Sequence, residues 1–127
     1  MIIVKTPAEL RSAVGQARKG GKPVAFVPTM GALHEGHLSL VRLARRHAPF
    51  VVVSIFVNPL QFGPNEDFSR YPRKPEEDER LLEREGADVL YLPEPERFYA
   101  DGFATRVEVS RVSEGGEGAR RPGHFQG

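Results

Sequence analysis

Seven of the eight residues in the run Phe50-Val51-Val52-Val53-Ser54-Ile55-Phe56-Val57 are apolar, and five of them are branched at Cβ. Such a run has no polar side to turn toward water and is short for a core helix, so it predicts a buried strand. Pro23-Val24-Ala25-Phe26-Val27, bounded by turn formers, predicts another strand covered on both faces. Ile2-Ile3-Val4 and Asp88-Val89-Leu90-Tyr91-Leu92 add two shorter ones. The segments between them have helical character. Thr6-Pro7-Ala8-Glu9 has the form of a capping box with proline in the first turn, Leu10, Val14 and Ala17 make a buried stripe, and Gly20-Gly21 end the helix. In the second helix His37, Leu40, Val41 and Ala44 share one face, while Arg42, Arg45 and Arg46 read as a solvated face. Pro75 opens the third, with Glu76, Glu77 and Asp78 in its first turn, Leu81 and Leu82 on its apolar side and Gly86 as its stop. Strand and helix alternating in this way predict an α/β fold, a Rossmann-like doubly wound parallel sheet. Thr105-Arg106-Val107-Glu108-Val109 alternates like an edge strand, and residues 114–127, with five glycines, read as a loop.

Composition narrows the function classes. At 127 residues a single domain is the default, with enough surface to bury for a core without staples. The absence of cysteine excludes a disulfide framework, a Cys-based zinc site and a thiolate nucleophile. Eighteen basic against 17 acidic residues leave a formal charge of +1, which argues against a dedicated nucleic-acid binder. The N-terminal stretch meets Lys5 and Pro7 before a long apolar run can develop, so neither a signal peptide nor a membrane span is expected, and the predicted location is the cytoplasm.

In an open parallel sheet the ligand crevice lies beyond the carboxyl ends of the strands. Two loops leave such ends. The first is Pro28-Thr29-Met30-Gly31-Ala32-Leu33-His34-Glu35-Gly36-His37. Gly31 permits close approach of backbone to a ligand, Gly36 loosens the turn into the helix, and the helix N-terminus offers N–H groups to an anion. His34 and His37, three apart, can lean toward the same anion and stabilise charge or transfer a proton. A zinc pair is the poorer reading, because no third ligand is evident and the metalloprotease spacing is four. The second loop, from Asn58, holds Gln61, whose amide can donate and accept at once. Gln61 either binds a small acid or faces water, and Asn58, preceding Pro59, is either a ligand or a turn residue.

The run PTMGALHEGHLSLV at residues 28–41 resembles the signature of the pantoate:β-alanine ligase family, the pantothenate synthetases, with His34-Glu35-Gly36-His37 at the HIGH motif of the nucleotidyltransferase superfamily. The resemblance continues through Val57-Asn58-Pro59-Leu60-Gln61-Phe62-Gly63-Pro64-Asn65-Glu66-Asp67-Phe68, Tyr71-Pro72-Arg73 and Arg121-Pro122-Gly123-His124-Phe125, in order along the chain. It implies ATP as a substrate, held by Met30, Gly31, Ala32, Leu33, His34, Glu35, Gly36 and His37, with His34 and His37 at its phosphates and His37 as proton donor. It further implies that Gln61, with Asn58, binds pantoate and β-alanine, that Mg²⁺ accompanies the nucleotide, and that the full-length protein is a homodimer. Glu77 and Asp78 are the candidate metal ligands, although a solvated helix N-terminus explains the same acids. Arg120 and Arg121 could meet phosphates, pair across an interface or belong to a mobile loop.

Members of that family are about twice this length, and their downstream half carries a second ATP loop. Residues 1–127 therefore resemble an incomplete Rossmann-like catalytic domain, expected on its own to be inactive in ligation and marginally stable or self-associating. A cofactor adenylyltransferase also uses an HxGH turn but has no need of the Asn58-Pro59-Leu60-Gln61-Phe62 loop. A nucleotide- or RNA-binding module is disfavoured by the charge balance.

Overall fold

A computed structural model describes all residues, 1–127. They form two compact units, one of Met1–Phe56 with Pro72–Glu94 and one of Val57–Tyr71 with Pro95–Gly127.

The first unit contains β1 (Ile2–Val4), α1 (Pro7–Lys19), β2 (Val24–Thr29), α2 (Glu35–His47), β3 (Phe50–Ile55), α3 (Pro75–Arg84) and β4 (Val89–Tyr91). All pairings are parallel, in the order β1-β4-β3-β2. The chain thus crosses from one edge of the sheet to the other through α1 and returns through α2 and α3. Right-handed crossovers then put α1 on one face and α2 with α3 on the other. The packing agrees. Val51, Val53, Val27 and Leu90 meet Val41 of α2 and Leu82 of α3, whereas Val52, Val89, Tyr91 and Val4 meet Leu10, Ala13 and Val14 of α1. The expected strand at residues 50–57 is therefore sandwiched, although its ladder ends at Ile55.

Local chemistry explains the helix ends. Thr6 Oγ1 accepts from the Glu9 N–H at 3.2 Å while the Glu9 carboxylate accepts from the Thr6 N–H at 2.9 Å, which completes the predicted capping box. In α2 the buried side chains are Leu38 and Val41, and Leu40 is half exposed, so the apolar face is rotated from the predicted one. Two of the arginines predicted to be solvated make ties instead. Arg42 bonds Glu85 at 2.6 Å as well as Glu35, and Arg45 bonds the Gly86 carbonyl beside Asp88. β2 is an edge strand and not buried on both faces: Phe26 is 57% exposed and the adjacent Val27 only 5%.

The second unit is built from turns: 3₁₀ turns at Pro59–Gln61, Phe68–Arg70 and His124–Gln126, with short helices α4 (Pro95–Phe98) and α5 (Glu117–Arg120). The last helix and turn fall in the segment predicted as pure loop. Residues 105–109 form no strand and lie exposed, because an alternating pattern without a neighbouring strand to pair with leaves its backbone to water.

Leu82 is fully buried between α2, α3 and the sheet. Truncating it to Ala should cost about 2–5 kcal/mol in urea unfolding, whereas Leu40→Ala should cost about 0.5 kcal/mol or less. Comparable losses at both positions would contradict the face assignment.

Candidate functional site

The turn after β2 begins on a fixed platform. Thr29 and Ile55 are register partners, the Phe56 N–H donates to the Thr29 carbonyl at 3.0 Å, and Thr29 Oγ1 donates to the Ser54 carbonyl at 2.8 Å. The same Oγ1 accepts from the Gly31 N–H at 3.2 Å. Gly31 has φ +82°, and a Cβ there would stand 2.9 Å from Ile55 Cγ2 and 3.2 Å from Asp78 Oδ2, so glycine is required both conformationally and sterically. Ala32 follows at φ 50°, in the left-handed region. Its N–H and that of Leu33 donate to the two oxygens of Asp78, at 2.9 and 2.7 Å.

The histidines close the turn. His34 is the N-cap of α2, where its Nδ1 accepts from the Gly36 N–H at 3.1 Å, and His37 Nδ1 accepts from the His34 N–H at 3.3 Å. The arrangement is a capping box made of two imidazoles, whose ring centroids lie 4.1 Å apart. A ring nitrogen that accepts carries no proton, so each neutral ring bears its hydrogen on Nε2. Burial, reinforced by His34, pushes the His37 imidazole below the ordinary histidine range, against an opposing pull from Asp78. At neutral pH His37 is thus an uncharged Nε2–H donor. The N–H groups of Gly31, Ala32, Leu33, His34 and Gly36 are engaged within the first unit. Among its side chains, the donors the turn can offer an anion are the imidazole Nε2–H groups.

In the second unit Asn58 is buried, and its side-chain oxygen accepts from the Leu60 N–H at 3.0 Å and the Tyr99 hydroxyl at 2.8 Å. That oxygen serves the turn. Gln61 is held by its backbone: its carbonyl meets His124 Nδ1 at 2.9 Å and accepts from Arg121 Nη2 at 3.3 Å. Arg121 in turn binds Glu66 through Nε at 2.5 Å and Nη2 at 3.0 Å and lies over the Phe62 ring. These partners escaped the sequence reading, since Glu66 and Arg121 are 55 positions apart and no periodicity links them. Tyr71-Pro72-Arg73 places Tyr71 edge-on to Phe62, with ring centroids 5.7 Å apart.

The candidate metal ligands do not form a cage. Both oxygens of Asp78 are taken by backbone N–H groups, Glu77 is exposed and pairs with Lys74 at 3.2 Å, and no group of three or more His, Asp or Glu side chains is arranged to hold an ion.

Comparison with known proteins places this architecture. The family model for pantoate-beta-alanine ligase matches residues 2–127. The chain belongs to the pantoate-β-alanine ligase family. Pantothenate synthetase of Thermoanaerobacter sp. (strain X514) is 52% identical over 127 residues, which are all of this chain and 45% of that protein. The crystal structure of pantothenate synthetase from Thermus thermophilus superposes with a TM-score of 0.88 at 55% identity, covering 99% of this chain and 44% of that one. The pantoate-beta-alanine ligase of Francisella tularensis, solved in complex with beta-gamma ATP and beta-alanine, gives 0.90 at 41% identity over all of this chain and 49% of that one. The chain thus spans less than half the length of the ligases it matches. The α/β, parallel-sheet fold expected from its sequence is the fold of these ligases.

Within this ligase-family chain, Arg121 and the Gly63 N–H hold the Glu66 carboxyl at about 2, down from an ordinary 4.5. A lowered carboxyl stabilises the fold fully above pH 4.5 and loses that contribution as the pH falls toward 2. Arg121→Ala should return Glu66 most of the way to 4.5, read from the pH dependence of its side-chain carboxyl ¹³C resonance. A titration that stays near 2 in the variant would assign the shift to other groups.

Proposed function

We propose that the gene product carrying this chain is an ATP-dependent ligase that condenses pantoate with β-alanine. The observation that carries the reading is the pair of imidazoles capping α2 just beyond the carboxyl end of β2, in a chain of the pantoate-β-alanine ligase family. ATP is the substrate for this turn, with the phosphates facing the Nε2–H groups of His34 and His37, and Met30 and Glu35 beside them. The pantoate carboxylate attacks the α-phosphorus, the bond to pyrophosphate breaks, and pantoyl adenylate forms. The β-alanine amine then attacks the acyl carbon and expels AMP. Most of this acceleration is positioning and stabilisation of charge on phosphate oxygens. The proton-donor role expected of His37 becomes hydrogen-bond donation from Nε2 to the departing pyrophosphate, because its lowered basicity keeps the ring uncharged and disfavours the imidazolium that proton transfer would need. Gln61 orients the carboxylate nucleophile through its side-chain amide, with Asn58 shaping the turn beneath it.

Mg²⁺ accompanies ATP in the family reading, yet Glu77 and Asp78 do not fit as its ligands, and no step is assigned to the ion here. No helix of the structure is long and apolar enough to cross a membrane. For the complete protein the reading is a cytoplasmic homodimer.

The complete gene product supplied with ATP and pantoate should release pyrophosphate and, once β-alanine is added, form pantothenate. Absence of both would refute the ligase reading. His37→Ala should slow single-turnover pyrophosphate release by about a hundredfold or more, as expected for loss of a donor that stabilises transition-state charge. Gln61→Ala should weaken pantoate by about 1.5–3 kcal/mol in calorimetry while leaving ATP nearly unchanged. Equal loss for both ligands would make Gln61 a structural residue.

A further inference from the structure

Asp78 is only 1% exposed, although it lies in the first turn of a helix where three acids would ordinarily face water. Its charge is spent on geometry. The two carboxylate oxygens accept from the N–H groups of consecutive residues, Ala32 and Leu33, 46 and 45 positions earlier in the chain. One of those residues, Ala32, is held at φ 50°, a conformation that favours glycine. The next is Leu33, whose side chain is anchored in the core, and the next again is His34, the N-cap. A buried carboxylate beside a site for phosphate is electrostatically adverse unless its charge is neutralised by something else. Here two amide dipoles and the N-terminus of α3 meet it.

We propose that Asp78 is the positioning residue of the nucleotide turn: by clamping the Ala32 and Leu33 amides it fixes the left-handed step that delivers His34 and His37 to the anion. The inference rests on the ATP reading of that turn for its functional consequence, and its geometry can be tested without it. Neither conservative replacement reproduces the clamp. Asparagine is isosteric but turns one acceptor into an NH₂ group facing a backbone N–H. Glutamate adds a methylene where a Cβ on Gly31 would already stand 3.2 Å from the Asp78 oxygen.

The test uses the complete gene product and its Asp78→Asn variant, with calorimetric titration of ATP in excess EDTA and again with Mg²⁺, and of pantoate alone. The clamp predicts ATP binding weakened on the order of tenfold in both media, with pantoate affinity within about twofold of wild type. Unchanged ATP affinity in both media, a loss confined to the Mg²⁺ titration, or equal losses for ATP and pantoate would each overturn it, the second by making Asp78 a metal ligand. Hydrogen exchange on the wild type needs no variant: the Ala32 and Leu33 amides should be protected before any nucleotide is added. Open-chain exchange rates at both amides would overturn the clamp even if the ligase activity stands, and protection with no ATP binding would leave the clamp intact while refuting the nucleotide reading.

Discussion

The central strand β3 has a parallel neighbour on each side and helices over both faces, so none of its backbone polar groups can turn to water. They are paired in the ladder or with side chains at its ends, and the ladder fixes the register with β2 residue by residue, down to Thr29 opposite Ile55. The start of the candidate site is therefore set by the sheet and not by the loop. Beyond the last pair the platform continues for one more step, through the Phe56 N–H on the Thr29 carbonyl and the Thr29 hydroxyl on the Ser54 carbonyl. Asp88 closes the opposite end of the same strand by accepting from the Val51 N–H at 2.8 Å.

From that platform the turn is an exercise in satisfying donors. Five N–H groups between residues 31 and 36 find partners in Thr29, Asp78, His37 and His34, all of them side chains. A helix N-terminus normally presents such groups to an incoming anion. Here the N–H groups of the approach to the helix, and that of Gly36, shape the turn itself, and the two imidazoles carry donor capacity outward on Nε2. Gly31 and Ala32 supply the left-handed backbone that lets this happen in so few residues.

Much of this was legible in the sequence where the signal was local. The capping box at Thr6 and Glu9 and the His34–His37 spacing each depend on residues three positions apart, and the strands on continuous apolar runs. The edge position of β2 was legible too, in a residue read as loop: Pro28 lies inside the strand, and a proline there is tolerated only where one side of the strand lacks a ladder partner. What failed was non-local. Leu38 and not Leu40 is buried beside Val41 in α2, because which apolar side of the helix is covered is decided by the elements it packs on and not by the helix sequence alone. Asp78 looked like any acid in a helix's first turn, since nothing in its neighbourhood marks the two amides it accepts from 45 and 46 residues upstream. Arg121 and Glu66 are the same case in the second unit.

The state of His37 follows from competition between three influences acting on one ring. Burial disfavours the imidazolium most, the adjacent His34 disfavours it further, and the Asp78 carboxylate favours it, with the net result downward. Hydrogen bonding points the same way, because a proton on Nδ1 would face the His34 N–H, a donor against a donor. Since the folded ring titrates below its ordinary 6.5, the unfolded chain takes up a proton first as the pH falls through that value, and the turn loses stability on acidification. A lysine in the same place would present a full positive charge to a phosphate at every physiological pH, bind it tightly and release it reluctantly. On the proposed reading, two imidazole Nε2–H donors, held by backbone amides on their inner nitrogens, would instead meet the anion with dipoles that need not reorganise, which favours charge that develops during a reaction over charge already present in the ground state.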